Sequence, residues 1–157
     1  LGRLVGSEMC IRDRYIVPFI IDPESGEVIQ ENFMMTCIAL MWVAAIMSAA
    51  IDNIPFTAAM IPIIASLEAV GVNIAALCWC LAIGVGMGGN GTHIGSTANV
   101  YIVTVSEKLA KTTGNPDMAI TPLKWAKKGL PVMLLTLVIC TIIMYAFFDY
   151  YALPLHP

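Results

Sequence analysis

The chain has 157 residues, 59% of them hydrophobic and 12% charged, with a net charge of −3 and a mean hydropathy of +0.82. Soluble domains carry about 25% charged residues, so a chain this apolar cannot cover its own surface and is expected to lie in lipid. The small, dispersed charge gives no indication of nucleic-acid binding. We expect an all-α polytopic membrane protein with about three or four crossings, and interpret the chain as a fragment of a longer protein.

The first residues differ from the rest of the chain. Residues 1–14 are charge-rich and lack the apolar region of a signal peptide. Their string GSEMCIRDR resembles translated read-through of a sequencing adapter, so we interpret residues 1–14 as a non-native segment; a genuine cytoplasmic loop is the alternative. Residues 15–32 are expected to be the end of a preceding helix and an acidic external loop.

Two apolar runs then follow, separated by a turn signal. Residues 33–51 carry no charge and are long enough for a helix of about 28 Å. Pro55 has no N–H to donate and biases Ile54 away from helical angles. The run at 56–67 is shorter than the roughly 20 apolar residues that a transmembrane helix needs. The pattern predicts a helical hairpin over residues 33–70.

Glycines interrupt the next apolar stretch. Five of the eight residues from 84 to 91 are glycine, with Gly95 just beyond. Each glycine costs about 1 kcal/mol against alanine in a helix. We therefore predict a discontinuous transmembrane helix over residues 74–111. A flexible external loop is the alternative, although the flanking residues are apolar and carry very little charge.

The lysines predict the orientation. All five lie between residues 107 and 128, and no other Lys or Arg follows residue 14. This positive charge predicts that residues 112–128, a loop and an amphipathic piece, are cytoplasmic. The last transmembrane helix, residues 129–148, then ends outside. The hairpin enters and leaves on the external side as a re-entrant hairpin; two full crossings with a cytoplasmic turn at Asp52 are the alternative.

Asp52 is the first candidate binding residue. A carboxylate at membrane depth costs about 2.5–3.5 kcal/mol, so it is retained where it is paired, hydrated or binding something. Asn53 and Thr57 add polar atoms beside it, and free carbonyls with a carboxylate suit a cation. We predict no metal site other than a Na⁺ site at Asp52 and Asn53. A surface turn in which Asp52 caps the next helix is the alternative.

The glycine break is the second candidate. Glycine permits unwinding and close approach of a ligand to the backbone, as in the discontinuous helices of transporters. The Thr97 hydroxyl lies in the same segment. His93 takes part in proton coupling or substrate contact, or bonds within the break. The predicted ion- or substrate-binding residues here are Gly89, Asn90, Thr92, His93, Ser96 and Asn99.

Three segments resemble the ion transporter superfamily, in its branch of arsenite permeases, NhaD-type antiporters and P proteins, which are SLC13-like permeases. Residues 48–62 (SAAIDNIPFTAAMIP) are similar to the hairpin motif of that branch. Residues 88–100 resemble its Gly-Gly-Asn-Gly-Thr…Gly…Ala-Asn motif, and residues 129–133 the start of its last span. The likeness covers about residues 33–148. His93 departs from the apolar residue expected at its position.

The resemblance implies two inverted repeats, each with a re-entrant hairpin and a broken helix, of which this chain holds one. Family members move arsenite, sodium against protons or, in related branches, carboxylates. We therefore expect a secondary active transporter, antiporter or symporter, of inorganic ions or small anions coupled to H⁺ or Na⁺. A citrate-type di/tricarboxylate transporter is the nearest alternative, and a channel or non-transporting membrane subunit is the alternative from another class.

The expected transporter also predicts the cofactors, partners and location of the protein. We expect no enzymatic activity and no cofactor beyond the coupling ion. The expected partners are membrane lipid, the transported ion or small anion, the missing N-terminal half of the same protein and a second copy in a homodimer, with no nucleic acid. The expected location is the plasma membrane, which is the inner membrane in a bacterium.

Overall fold

A computed structural model of the chain describes residues 17–22, 29–68 and 72–153. The segment 1–14, interpreted above as non-native, lies outside the described residues, as do residues 23–28 of the acidic loop. The part of the chain that is described is all-helical and contains no β-strand. Its helices are α1 (Val17–Ile20), α2 (Gln30–Ala50), α3 (Asn53–Glu68), α4 (Ile74–Gly88), α5 (Thr97–Thr113), a 3₁₀ turn (Pro116–Met118), α6 (Pro122–Ala146) and α7 (Phe148–Tyr151).

The chain divides into two compact units, Leu1–Cys37 and Ile38–Pro157. In the first unit, the Asn32 side chain donates a 2.9 Å hydrogen bond to the Phe19 carbonyl. Because Asn32 lies in the first turn of α2, this bond ties the end of α1 to the start of the next helix. Helix α2 continues into the second unit, which holds both predicted breaks.

Two helical stretches have the length and apolar composition to cross a membrane. They are α2, with 21 residues and a hydropathy of 2.0, and Pro116–Ala146, which contains α6, with a hydropathy of 2.2. Only 17% of the apolar window in the second stretch is buried, so most of its apolar side chains face outward. Helices α3 and α4 are shorter, with 16 and 15 residues. The lengths and composition of these helices are consistent with a membrane protein.

Helices α2 and α4 pack with their backbones in contact. A Cβ added at Gly84 would lie 2.3 Å from the Met41 carbonyl oxygen, and one at Gly88 would lie 2.2 Å from that of Ala45. At Gly86, on another side of α4, a Cβ would meet nothing within 4 Å. Small residues four apart permit such close approach between helices in lipid.

Helix α4 runs antiparallel to α6. Near the start of α4, the Asn73 side chain donates to the Ala152 carbonyl, just after α7. At the other end of α4, a Cβ on Gly129 would lie 2.4 Å from the Asn90 carbonyl oxygen, so the first turns of α6 lie against the glycine break. The Asn90 carbonyl also accepts a 3.2 Å hydrogen bond from the Trp125 indole N–H.

The structure continues α6 through the point where the sequence predicted a boundary. The sequence placed an amphipathic piece before residue 129 and a separate span after it, whereas one helix of 25 residues runs over Pro122–Ala146. The Thr121 side chain accepts from the Lys124 N–H at 3.2 Å, and Pro122 suits a first helical position. Lysine is compatible with a helix. Gly129 lowers helix stability by about 1 kcal/mol relative to alanine, and packing of α6 against the glycine break offsets this loss.

Candidate functional site

The two helix breaks lie together in the second unit. Helix α2 ends at Ala50 and α3 begins at Asn53, while α4 ends at Gly88 and α5 begins at Thr97. The Thr97 hydroxyl donates a 2.6 Å hydrogen bond to Asp52 Oδ2. The carboxylate at the hairpin turn therefore contacts the first residue of the helix that resumes after the glycine break.

A buried serine joins the same region. Ser48 has no exposed surface, and its hydroxyl lies 2.9 Å from the Val85 carbonyl oxygen of α4. It also lies within hydrogen-bond distance of the Asn53 side-chain oxygen. A hydroxyl has one proton, so it donates to one of these acceptors at a time; with the Asn53 amide turned to present its NH₂ group, both contacts are satisfied. Ser48 thus links the last turn of α2 to α4 and to the first residue of α3.

Two glycines in the break lie very close to the end of α2 and the start of α3. A Cβ added at Gly89 would lie 2.9 Å from both polar atoms of the Asn53 amide. One added at Gly95 would lie 2.9 Å from the Gly89 carbonyl oxygen and 3.0 Å from the Ser48 carbonyl oxygen. A side chain at Gly89 would therefore displace the Asn53 amide, and one at Gly95 would press against the backbone of both breaks.

The break itself is held by specific side-chain bonds. The Thr92 hydroxyl donates to the Ala49 carbonyl at the end of α2 and accepts from the Gly95 N–H at 3.1 Å. The Asn99 amide donates to the carbonyls of Gly89 (2.9 Å) and Thr92 (3.2 Å). These bonds satisfy backbone groups that the missing helical turns leave open, so the unwound segment has a defined conformation.

The remaining predicted residues make no side-chain hydrogen bond to this cluster within the described chain. Thr57 lies one turn after Asn53, where it lines a groove of about 360 Å³ along α3 and another of about 290 Å³ between α3 and α4. The Asn90 side chain is exposed and the His93 side chain half-exposed. Ser96 precedes α5 without a capping bond from its side chain.

Ser48 is the contact residue that sequence reasoning missed. It lies in an apolar run, five residues before Asn53, and is similar in size to the alanines around it. The available signal was its hydroxyl in a helix otherwise free of polar groups near the turn. A polar side chain in such a helix bonds to a neighbouring element, because lipid offers it no partner.

The cluster combines features that suit ions. Helices α3 and α5 begin at the two breaks and α2 and α4 end there, so helix ends of both polarities adjoin the cluster. Asp52 supplies a carboxylate whose second oxygen accepts no hydrogen bond within the described chain. The described residues contain no group of three His, Cys, Asp or Glu side chains that could hold a metal ion. The donor set is therefore one of hard oxygens and N–H groups, suited to a proton, Na⁺ or a small anion.

Apolar helices of membrane length with two helix breaks that share a polar cluster are typical of membrane transport proteins. The proteins to which this chain is similar include membrane proteins and transporters. The chain is 35% identical over 115 residues to P protein of Mus musculus, covering 71% of this chain and 13% of that protein. It is 31% identical over 115 residues to a 46 kDa membrane protein of Mycobacterium leprae, covering 71% and 25%. It is 31% identical over 117 residues to an uncharacterized transporter of Mycobacterium tuberculosis, covering 73% and 26%.

These similarities support an ion-transporter-superfamily permease. Of these relatives, one is named as a membrane protein and one as a transporter, and none of the three carries the name of an enzyme. The chain spans between about an eighth and a quarter of the length of the relatives compared above. No family model and no solved structure matches it.

Proposed function

We propose that this chain forms one half of the ion- and substrate-binding site of a secondary active transporter. The transporter moves an inorganic ion or small anion and couples that movement to H⁺ or Na⁺. The observation that carries the proposal is the 2.6 Å bond from Thr97 to Asp52, which brings the two helix breaks into one cluster. A single cluster built from two breaks lets one ion influence both segments at once.

Asp52 and Asn53 would hold the coupling ion. A proton on Asp52 would neutralise the carboxylate, and a Na⁺ ion would be held by the carboxylate, the Asn53 amide oxygen and nearby backbone carbonyls. Either cation reduces the negative charge on the carboxylate and so weakens the hydrogen bond that it accepts from the Thr97 hydroxyl. Thr57 lies one turn along α3 and would extend the site into the groove that it lines with Asn53.

The glycine break would hold the substrate. The N-terminal turn of α5, which has no capping bond from the Ser96 side chain, would present its positive dipole end to an anion. Asn99 and Thr92 keep the unwound backbone in place through bonds to carbonyls. The proposed substrate-side residues remain those predicted from the sequence: Gly89, Asn90, Thr92, His93, Ser96 and Asn99.

The hairpin of α2 and α3 is proposed to be re-entrant, entering and leaving on the external side. The start of α4 lies beside the end of α6, and the glycine break lies beside the start of α6, where the lysines are. With the lysines on the cytoplasmic side, the turn at Asp52 would lie toward that side, as it also would if α2 and α3 each crossed the membrane. The other inverted repeat, in the N-terminal half, would complete the site, in a plasma-membrane protein that pairs as a homodimer.

The test is counterflow in vesicles that contain the full-length protein. Vesicles are preloaded with unlabelled arsenite, sodium or citrate, and uptake of the same labelled probe is followed. A carrier gives a transient accumulation of label for one of the probes, whereas a channel gives simple equilibration. Asn53→Ala should abolish the transient, and Asn115→Ala, which alters an exposed loop cap, should retain it. Equilibration without a transient for every probe would overturn the proposal.

A further inference from the structure

Two lysines on α6 have no partner within the described chain. Lys124 is already engaged, because its ammonium group donates to the carbonyls of Asp117 (3.4 Å) and Ala119 (3.1 Å). Lys127 and Lys128, one turn further along, are exposed, and neither ammonium group contacts an acceptor among the described residues. Their charges are therefore available to a partner outside the chain.

Each of the two lysines begins an exposed apolar row on the helix. Residues four, seven and eleven positions apart share one helix face. After Lys128 these positions hold Val132, Leu135 and Ile139, whose side chains are 52%, 62% and 47% exposed. A second row, three, seven and eleven positions after Lys127, consists of Leu130, Leu134 and Val138, all exposed.

The length of the row matches one leaflet of a membrane. From Lys128 to Ile139 the helix rises by about 16 Å at 1.5 Å per residue. Half of a hydrocarbon core of about 30 Å is about 15 Å. A headgroup beside the lysines would therefore have its acyl chain along the exposed row, with its end near the bilayer centre.

We propose that Lys127 and Lys128 bind the phosphate headgroup of an anionic phospholipid whose acyl chain lies along Val132, Leu135 and Ile139. Charge complementarity favours this lipid over a zwitterionic one, because each lysine near an anionic membrane surface favours binding about fivefold. The site adjoins the glycine break, since Trp125 and Gly129 both contact the Asn90 carbonyl. The lipid is thus placed next to the transport cluster without touching its residues.

Quenching of Trp125 fluorescence by brominated lipids tests this proposal. The chain has three tryptophans, so W42F/W79F leaves Trp125 as the reporter beside the lysines. In vesicles, brominated phosphatidylglycerol should quench it with an apparent affinity at least about fivefold above brominated phosphatidylcholine. K127Q/K128Q should bring the ratio to about one. K108Q/K111Q removes the same charge from α5 and should leave the preference in place.

Two results would overturn the proposal. Equal quenching by the two lipids at low salt would show that the lysines do not select an anionic headgroup. No quenching by either lipid would show that protein, from another part of the transporter or a second copy, covers this face of α6. Because W42F removes a hydrogen bond to Thr141, native mass spectrometry of the unsubstituted chain gives an independent reading. It should retain more phosphatidylglycerol than phosphatidylcholine, and equal retention would also count against the site.

Discussion

Thr97, the first residue of α5, donates a 2.6 Å hydrogen bond to Asp52, which lies 45 positions earlier in the turn between α2 and α3. The bond joins the carboxylate of one helix break to the N-terminal end of the helix that follows the other. A hydroxyl that donates to a carboxylate forms one of the stronger hydrogen bonds in proteins, although partial exposure lowers its contribution here. Both breaks are therefore sensitive to the charge on Asp52.

Replacing Thr97 by valine tests this bond. Thr97→Val keeps the shape of the side chain and removes the donor, so the carboxylate loses a contact worth about 1 kcal/mol. We expect the concentration of coupling ion needed for half-maximal transport to change roughly fivefold, measured in vesicles with the full-length protein. Thr104→Val is the matched control, because that hydroxyl bonds only to the Val100 carbonyl of its own helix. Equal behaviour of the two variants would contradict the prediction.

Gly89 should be required for transport. The methyl group of Gly89→Ala would lie 2.9 Å from the Asn53 amide and would displace that side chain from the cluster. We expect transport rates to fall at least about tenfold, since the two parts of the site would no longer align. Gly86→Ala, whose methyl group meets nothing within 4 Å, should transport normally. Normal rates for Gly89→Ala would show that the contact with Asn53 is not needed.

Gly88 should be required for stability. In Gly88→Ala the new methyl group would lie 2.2 Å from the Ala45 carbonyl, which is backbone and cannot rotate away. Such overpacking costs about 1–3 kcal/mol. Thermal unfolding in detergent should show a lowered midpoint for Gly88→Ala. Gly86→Ala should show an equal or raised midpoint, because alanine favours the helix by up to about 1 kcal/mol. A midpoint for Gly88→Ala at or above that of the parent chain would be inconsistent with backbone contact between α2 and α4.

Ser48 should stabilise the hairpin. Ser48→Ala removes a fully buried hydroxyl and leaves the Asn53 side chain without that partner. The expected loss is about 1–2 kcal/mol in the free energy of unfolding, measured by denaturant titration in micelles. Thr136→Val provides the comparison, since the Thr136 hydroxyl bonds only to carbonyls of its own helix. If both substitutions cost the same, the contacts of Ser48 across helices contribute nothing.

The helix breaks could be read from local chemistry. Pro55 indicated a break near this position, and the structure ends α2 at Ala50; α3 begins at Asn53, so Ile54 and Pro55 lie in its first turn, where a missing N–H costs no intrahelical bond. The run of glycines disfavours a helix, and α4 ends at Gly88. One helix covers Pro122–Ala146, which includes both the amphipathic piece and the start of the last span that the sequence distinguished.

The contacts across the site could not be read from the sequence. Ser48 and Val85 are 37 positions apart, and no periodicity in either helix indicates that they meet. The residue types at Asp52 and Asn99 indicated polar chemistry at each break, but not which groups bond. Thr92 illustrates this: the sequence suggested a ligand, and the structure shows its hydroxyl bonded to the Ala49 carbonyl.

The most direct test is gradient-driven transport by Asp52→Asn in vesicles that contain the full-length protein. Labelled arsenite, sodium and citrate serve as probes under an imposed H⁺ or Na⁺ gradient. We predict that the parent protein accumulates one of them, that Asp117→Asn in the exposed 3₁₀ turn does the same, and that Asp52→Asn does not accumulate it against its gradient. Accumulation by Asp52→Asn at the parent rate would contradict the assignment of Asp52 to the coupling-ion site.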